Sequence, residues 1–141
     1  MRFVAAWPGL ARWQRQQMAG SGSLVRTAAG RIRRLGGEVP GTVRANTPVQ
    51  GTAADGFKVA LALLWKTRDQ HPDAIPVLAV HDELVIECDA TEAAAVAEWV
   101  CCCLTDGMRH YLQNVSVSVE VVIARNWAGE PLEEPLKRGQ S

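Results

Sequence analysis

Two apolar runs on either side of a polar step constrain this chain more than any other stretch. The runs are residues 77–80 and 84–88, and the step between them is His81-Asp82-Glu83. Short runs rich in β-branched residues predict two antiparallel strands joined by a very tight turn. Two-residue turns normally contain Gly, because the favoured turn types need a positive φ. This turn has no Gly, so we expect its polar tip to be there for function.

Two capping-box patterns predict the long helices. Thr47-Pro48-Val49-Gln50 offers a capping hydroxyl, a proline at the first helical position and an amide three residues after the cap. The helix is predicted to run to about residue 69. Its apolar positions at helical spacing are expected to face the core, and they are Val49, Ala53, Phe57, Ala60, Leu61 and Leu64. The stretch 89–92 repeats the pattern and predicts a helix to about residue 112.

The order of the elements predicts an α+β fold. Residues 8–18 are expected to form a short amphipathic helix, and residues 24–35 an extended, strongly cationic piece. Strict alternation of apolar and polar residues from 115 predicts a half-buried strand over 115–123. An antiparallel sheet, made of the hairpin 77–88 plus this strand and covered on one face by helices, is the architecture that follows.

Charge is divided unevenly along the chain, although the net charge at neutral pH is zero. Residues 1–45 carry eight arginines and one acidic residue, Glu38, whereas the remainder carries seven basic and fourteen acidic residues. This division suggests a polyanionic partner and a cation held by carboxylates. An arginine-rich solvated surface explains the charge equally well. Arg31 and Arg33 are the candidate phosphate contacts, because a guanidinium can fork onto phosphate oxygens.

Membrane proteins and disulfide-rich secreted proteins are disfavoured. No apolar run approaches the roughly 20 residues that cross a bilayer, and a signal-peptide core is missing, so we expect a cytoplasmic location and no membrane partner. Three of the four cysteines are consecutive, residues 101–103. Helical neighbours point about 100° apart and cannot present a metal edge. These cysteines are expected to be small buried hydrophobes in a reducing compartment.

The two carboxylates of the hairpin tip determine what chemistry it can support. Successive strand residues point to opposite faces, so Asp82 and Glu83 are not expected to share a proton. Magnesium prefers one or two carboxylates together with water and substrate phosphate, which suits Asp82. A two-metal phosphoryl-transfer site needs a further carboxylate from elsewhere. On this chemistry alone, a surface turn with solvated charges remains an open alternative.

Two segments form a specific pattern when they are taken together. They are residues 46–55, Asn-Thr-Pro-Val-Gln-Gly-Thr-Ala-Ala-Asp, and residues 80–84, Val-His-Asp-Glu-Leu. In this order and at this separation they resemble the C-terminal palm of family A DNA polymerases, the bacterial DNA polymerase I type. Further agreement comes from Trp7-Pro8-Gly9 with Trp13, from Thr27-x-x-Gly30-Arg31-x-Arg33 and from Ile123-Ala124-Arg125-Asn126-Trp127.

The resemblance covers residues 3 to about 130 and implies a subdomain for each part. Residues 1–41 would be a remnant of the fingers and residues 42–130 the palm. From residue 128 the chain turns polar and proline-rich, so residues 131–141 are expected to be a mobile tail. Asp82 looks like the aspartate that binds catalytic Mg²⁺, and Glu83 like the neighbouring acid that supports the metal site.

The resemblance also implies contacts with primer-template DNA. His81 is similar to the histidine that touches the primer end. Asn46 and Gln50 look like the amides that follow the minor groove, where acceptors common to all base pairs allow sequence-independent reading. Helix capping alone also explains either amide. Arg31 and Arg33 would lie late in the fingers, near template phosphates.

The chain departs from the family pattern in three places. Thr42 stands where the family usually has an Arg, and Arg44 follows two residues later. No segment resembles motif A with its metal-binding Asp, nor the fingers helix that grips the incoming deoxynucleoside triphosphate. We therefore expect a truncated polymerase portion with little activity alone, which an upstream polymerase fragment would complete. A non-catalytic primer-template binding module and a decayed remnant are the alternatives.

Overall fold

The computed structural model describes residues 5–19, 23–37 and 39–132, and the fold is α+β as predicted. These residues form three α-helices, two antiparallel hairpins and a 3-10 turn. In chain order the elements are α1 (Pro8–Ala19), β1 (Leu24–Arg26), β2 (Ile32–Arg34), α2 (Gly41–Thr67), the 3-10 turn Arg68–Gln70, β3 (Ile75–Val80), β4 (Glu83–Glu87) and α3 (Ala93–Arg109). The chain divides into two compact units, Met1–Lys58 and Val59–Ser141, and the division falls within α2.

The first hairpin lies where the sequence predicted one extended cationic piece. Strands β1 and β2 pair antiparallel, with Val25 opposite Arg33. The loop between the strands is closed by two backbone bonds, from the Thr27 N–H to the Arg31 carbonyl at 3.0 Å and from the Gly30 N–H to the Thr27 carbonyl at 2.9 Å. Val25 is buried, whereas β2 is exposed along its length. The arginines of β2 therefore reach solvent.

Helix α2 begins six residues before the predicted cap at Thr47. Its first turn closes on Pro40, whose carbonyl accepts from the N–H groups of Val43 at 2.9 Å and Arg44 at 3.4 Å. Pro48 consequently lies inside the helix, where it cannot donate a backbone bond. The Thr47 hydroxyl donates to the Val43 carbonyl at 2.7 Å instead of capping a helix end.

The second predicted capping box does not form either. Helix α3 starts at Ala93, and Glu92 precedes it without a side-chain cap bond. Asp89 uses one carboxylate oxygen to accept from the backbone N–H and the hydroxyl of Thr91, at 2.8 and 2.7 Å. This local turn consumes the side chain that was expected to cap the helix.

The core of the second unit lies between α2, α3 and one face of the β3–β4 hairpin. The buried side chains are Leu64, Ala74, Val96, Trp99 and Cys103, and Leu84 and Ile86 pack against them from β4. The buried side chains that α3 contributes, Val96, Trp99 and Cys103, recur at helical spacing. The Trp99 indole donates to the Thr67 hydroxyl at 2.8 Å, which satisfies the one polar group of this large side chain.

The β3–β4 hairpin has the predicted two-residue turn, with Val80 opposite Glu83. The pairing register shifts between Pro76 and Leu78, which fits a proline that cannot donate to a ladder. Strand β3 exposes its apolar side chains more than β4 does, and Ile75 and Val77 are more than half exposed. The helices therefore cover one face of the hairpin.

The predicted strand at 115–123 is not present, so the sheet consists of the β3–β4 hairpin without the expected third strand. Strands β3 and β4 pair only with each other among the described residues, and 115–123 have no ladder partner. Alternation makes a segment suitable for a sheet, but a strand also needs a neighbouring edge that accepts its backbone groups.

The apolar face predicted for α2 is correct only in its second half. Ala60 and Leu64 are buried and Phe57 and Leu61 are half-buried, whereas Val49 and Ala53 are exposed. No helix within 5–19, 23–37 and 39–132 is long and apolar enough to cross a membrane.

Helices α2 and α3 are in close contact at Gly107. A Cβ built on Gly107 would lie 2.5 Å from the Cα and 2.6 Å from the Cβ of Ala60. Both residues are buried. Only a glycine therefore allows this helix contact without displacing one backbone from the other.

Gly107→Ala is expected to lower the free energy of unfolding by about 1 to 3 kcal/mol, because the added methyl overpacks the contact with Ala60. Gly9→Ala is the matched control, since a Cβ there meets nothing within 4 Å. Helix propensity alone favours Ala over Gly, so a loss of stability in Gly107→Ala would come from the packing contact. Urea denaturation measures both variants, and a Gly107→Ala protein as stable as the control would contradict the close contact.

Candidate functional site

A buried carboxylate, Asp55, organises the polar contacts of the first unit. Its side chain is 8% exposed and has a partner for each oxygen. The Thr27 hydroxyl donates to Oδ2 at 2.6 Å, and the Arg31 Nε donates to Oδ1 at 2.6 Å. Because an unpaired buried charge is costly, these two bonds fix the hairpin against α2.

Arg31 makes a further contact that depends on Gly51. Its Nη2 donates to the Gly51 carbonyl at 3.0 Å. A Cβ at Gly51 would lie 2.5 Å from the Thr27 Cγ2, so a larger residue would push the hairpin away. At the next residue of α2, the Thr52 hydroxyl accepts a hydrogen bond from the Ala28 N–H at 2.9 Å. Two of the Arg31 donor groups are thus used inside the protein.

The side chains of β2 and α2 border a shallow cavity of about 450 Å³. Its lining consists of Thr27, Arg31, Ile32, Arg33, Arg34, Thr47, Gln50 and Gly51. Arg33 is anchored by a bond from its Nη1 to the Thr47 hydroxyl at 3.2 Å, while most of β2 faces solvent. The cavity is therefore cationic and open, and it presents one side-chain amide.

Hydrogen bonding controls the protonation of Asp55. Burial by itself raises the pKa of this carboxyl. The hydrogen bonds from Thr27 and Arg31, together with the charges of Arg31 and Lys58, outweigh burial and hold the pKa below its ordinary value. Asp55 is therefore a carboxylate at neutral pH, and it neutralises part of the arginine charge beside the cavity.

In the second unit, the hairpin tip exposes three consecutive polar side chains, His81, Asp82 and Glu83. His81 has φ 55°, so the turn reaches the left-handed region without a glycine. Such a residue costs on the order of 1 kcal/mol relative to glycine. The backbone strain falls on the segment whose sequence suggested a functional role.

Glu83 has a partner distant in sequence. Its Oε1 accepts from the Trp127 indole at 3.2 Å. Trp127 belongs to a loop closed by Asn126, whose Oδ1 accepts from the backbone N–H of Ala128 at 3.1 Å and whose Nδ2 donates to Glu130 at 2.9 Å. The tip therefore has one tethered carboxylate, beside Asp82 on the turn.

The tip does not supply a complete ligand set by itself. No group of three His, Cys, Asp or Glu side chains suited to a metal ion occurs among the described residues. All four cysteines are free thiols. Cys103 is buried and burial raises its pKa, as expected of an inert core cysteine, but Cys102 is exposed, so the expected burial does not hold for the whole triplet.

Comparison with known proteins decides the family. The sequence profile described as DNA polymerase family A matches residues 2–129. The chain belongs to DNA polymerase family A.

Three relatives of the chain are bacterial DNA polymerases. DNA polymerase I of Deinococcus radiodurans is 33% identical over 141 residues, covering 89% of this chain and 14% of that protein. DNA polymerase I of Aquifex aeolicus is 37% identical over 83 residues, covering 58% of this chain and 14% of that protein. The thermostable DNA polymerase I of Thermus aquaticus is 42% identical over 82 residues, covering 58% of this chain and 9% of that protein. The chain thus spans about a seventh or less of the length of these relatives.

Within this family A chain, the site residues predicted from sequence form two local groups. Arg31, Arg33 and Gln50 border the same cavity. Asn46 lies one helical turn before Gln50, exposed and outside the lining. In the other unit, His81 and Asp82 form the turn and Glu83 begins β4.

Sequence reasoning missed the residues that hold these groups in place. Asp55 and Thr27 lay within quoted motifs, but their pairing across 28 positions has no local signal. Gly51 carries no sequence signal that distinguishes it from another helix residue, because its role depends on the hairpin that packs on it. Trp127 was noticed only as part of a terminal motif, and its bond to Glu83 spans 44 positions.

Asp55→Asn is expected to lower the free energy of unfolding by about 1 to 3 kcal/mol near pH 6, a modest loss because half of the Arg31 side chain is in solvent. Folding lowers the pKa of Asp55, so its carboxylate stabilises the protein fully above the unfolded pKa. This stabilisation is lost as the pH falls through the folded pKa.

Urea denaturation between about pH 6 and about pH 3 measures this effect. The difference between the parent protein and Asp55→Asn should shrink as the pH falls. Glu98→Gln, at an exposed position of α3, is the control for the loss of one charge. A constant difference between parent and Asp55→Asn across this range would contradict the lowered pKa.

Proposed function

We propose that this chain is the C-terminal portion of a template-directed DNA polymerase, which adds nucleotides to a primer 3′ end by a two-metal mechanism. The observation that carries the proposal is the exposed His81-Asp82-Glu83 tip on a two-residue turn, in a chain of this family. In our assignment, residues 1–41 are the end of the fingers, residues 42–130 the palm and residues 131–141 a tail, most of which lies outside the described residues.

The donor chemistry of the tip fits Mg²⁺ as a partial ligand set. Asp82 would hold the ion, and Glu83 would support the site from the start of β4. Hard divalent cations accept one or two protein carboxylates and complete their shell with water and phosphate. When bound, the ion supplies charge stabilisation for phosphoryl transfer. His81, which precedes both acids on the strained turn, would contact the primer end.

The proposed DNA surface is the cavity in the first unit together with the exposed start of α2. Arg33 would contact a template phosphate, while Gln50 and Asn46 would follow the minor groove. Arg31 would contribute less directly, because its Nε and Nη2 already bond to Asp55 and Gly51. Contacts of this kind position DNA without reading its sequence.

The chain alone is expected to incorporate nucleotides poorly, because the second metal-binding Asp and the nucleotide-gripping helix have no counterpart in its sequence. A two-metal transfer needs both ions in place. A separate polymerase fragment that carries these parts would complete the site, with deoxynucleoside triphosphate as the substrate.

Gel analysis of a labelled primer-template with Mg²⁺ and deoxynucleoside triphosphates should show no extension by the 141-residue chain. Extension by a mixture with a polymerase fragment that carries motif A should disappear with Asp82→Asn and persist with Asp73→Asn, an exposed control. Mg²⁺-dependent extension by the chain alone would contradict the proposed incompleteness.

A second candidate function is a primer-template binding module without catalysis, and the cationic cavity favours it. Arg33 and Gln50 border this cavity whether or not a second metal ligand is present. Binding through phosphates is expected to weaken with salt and to depend little on base sequence.

Fluorescence anisotropy with a labelled duplex tests this surface between about 50 and about 200 mM salt. Arg33→Ala should weaken binding and reduce the slope of log affinity against log salt by about 0.9, because one phosphate contact is lost. Gln50→Ala should weaken binding without changing the slope. Arg109→Ala, at the end of α3, is the control. Unchanged affinity in both test variants would exclude this surface.

A further inference from the structure

The indole of Trp127 is the one side chain that the structure places in a hydrogen bond with an acid of the hairpin tip, among the described residues. The Trp127 Nε1 lies 3.2 Å from the Glu83 Oε1. An indole N–H only donates, and an ionised carboxylate only accepts, so this bond has a single direction. It forms although both residues are exposed, with 66% of Trp127 in solvent.

The loop that presents Trp127 is braced independently of the hairpin. The Arg125 N–H donates to the Glu130 carbonyl at 2.7 Å, and the Gly129 N–H donates to the Asn126 carbonyl at 3.0 Å. The Asn126 side chain adds bonds to Ala128 and to the Glu130 carboxylate, as described above. A loop closed this way holds the neighbouring indole at low entropic cost.

We propose that Trp127 is a positioning residue for the tip, whose indole N–H fixes the Glu83 carboxylate and leaves Asp82 to take the divalent cation. This inference rests on the proposed metal site. A freely rotating Glu83 would sample orientations that do not support a cation beside Asp82. Partners that orient ligating groups typically change metal affinity by about 10- to 100-fold, and the exposed setting indicates the low end.

Mn²⁺ is a suitable probe, because it prefers oxygen ligands and free Mn²⁺ is counted directly by electron paramagnetic resonance. Trp127→Phe keeps an aromatic ring but removes the donor, and should raise the Kd for Mn²⁺ about tenfold. Trp65→Phe is the matched control, since Trp65 is 68% exposed and its ring stacks on Arg68. Asp82→Asn should abolish binding.

Hydrogen exchange of the indole N–H tests the contact without any metal. Trp127→Phe assigns the Trp127 signal among the five tryptophans in the NMR spectrum. Glu83→Ala should accelerate exchange of that N–H, whereas Glu83→Gln, whose amide oxygen still accepts, should keep it slow. Equal exchange in the parent and Glu83→Ala would overturn the inference.

The metal data separate the two proposals. If Asp82→Asn loses Mn²⁺ but Trp127→Phe binds it as Trp65→Phe does, the positioning role is wrong and the proposed function stands. If Asp82→Asn binds Mn²⁺ like the parent, the metal site and the inference both fail. Should Trp127→Phe unfold by circular dichroism, Asn126→Ala takes its place: a weakened affinity supports the inference, and an unchanged affinity overturns it.

Discussion

The ion pair between Asp55 and Arg31 is the contact on which the first unit depends. A carboxylate this deeply buried in a helix must be paired, and the partners come from the β1–β2 hairpin. The pairing places the hairpin close enough to α2 that only glycine fits at position 51. The residues through which α2 bonds to the hairpin, Thr47, Thr52 and Asp55, are buried polar side chains in place of an apolar stripe.

This arrangement gives two neighbouring arginines different roles. Arg31 uses its Nε and Nη2 in bonds to Asp55 and Gly51, and Asp55 neutralises part of its charge. Arg33, in the adjoining strand β2, is anchored at one nitrogen by Thr47 and borders the cavity. The pairing with buried Asp55 thus makes Arg31 a structural arginine, whereas Arg33 is suited to an external anion.

The second unit follows a different logic, because its tip is held by backbone geometry more than by burial. His81 accepts a strained left-handed conformation to close the turn, and the Trp127 loop reaches Glu83 from the far end of the sequence. The base of the hairpin packs on Leu64, Val96 and Trp99 through β4. A rigid base and an exposed tip suit a site that acts on something large and external.

Local signals were sufficient for the hairpin turn and for the existence of all three helices, since these depend on neighbours in sequence. The start of α2 was misplaced because a strong cap pattern at Thr47 lies inside the helix, where the threonine hydroxyl turns back to Val43. The segment 115–123 was misread because its alternation is necessary for a strand but does not provide a partner edge.

The sequence by itself determined the family and the short list of exposed functional side chains, because spacing within a motif is a property of the chain alone. Tertiary structure alone decided which of those residues are committed to the fold. Arg31 is tied to Asp55 and Glu83 to Trp127, whereas Gln50 borders open solvent. The reason is physical: a hydrogen bond forms between atoms close in space, and these partners lie 24 and 44 positions apart.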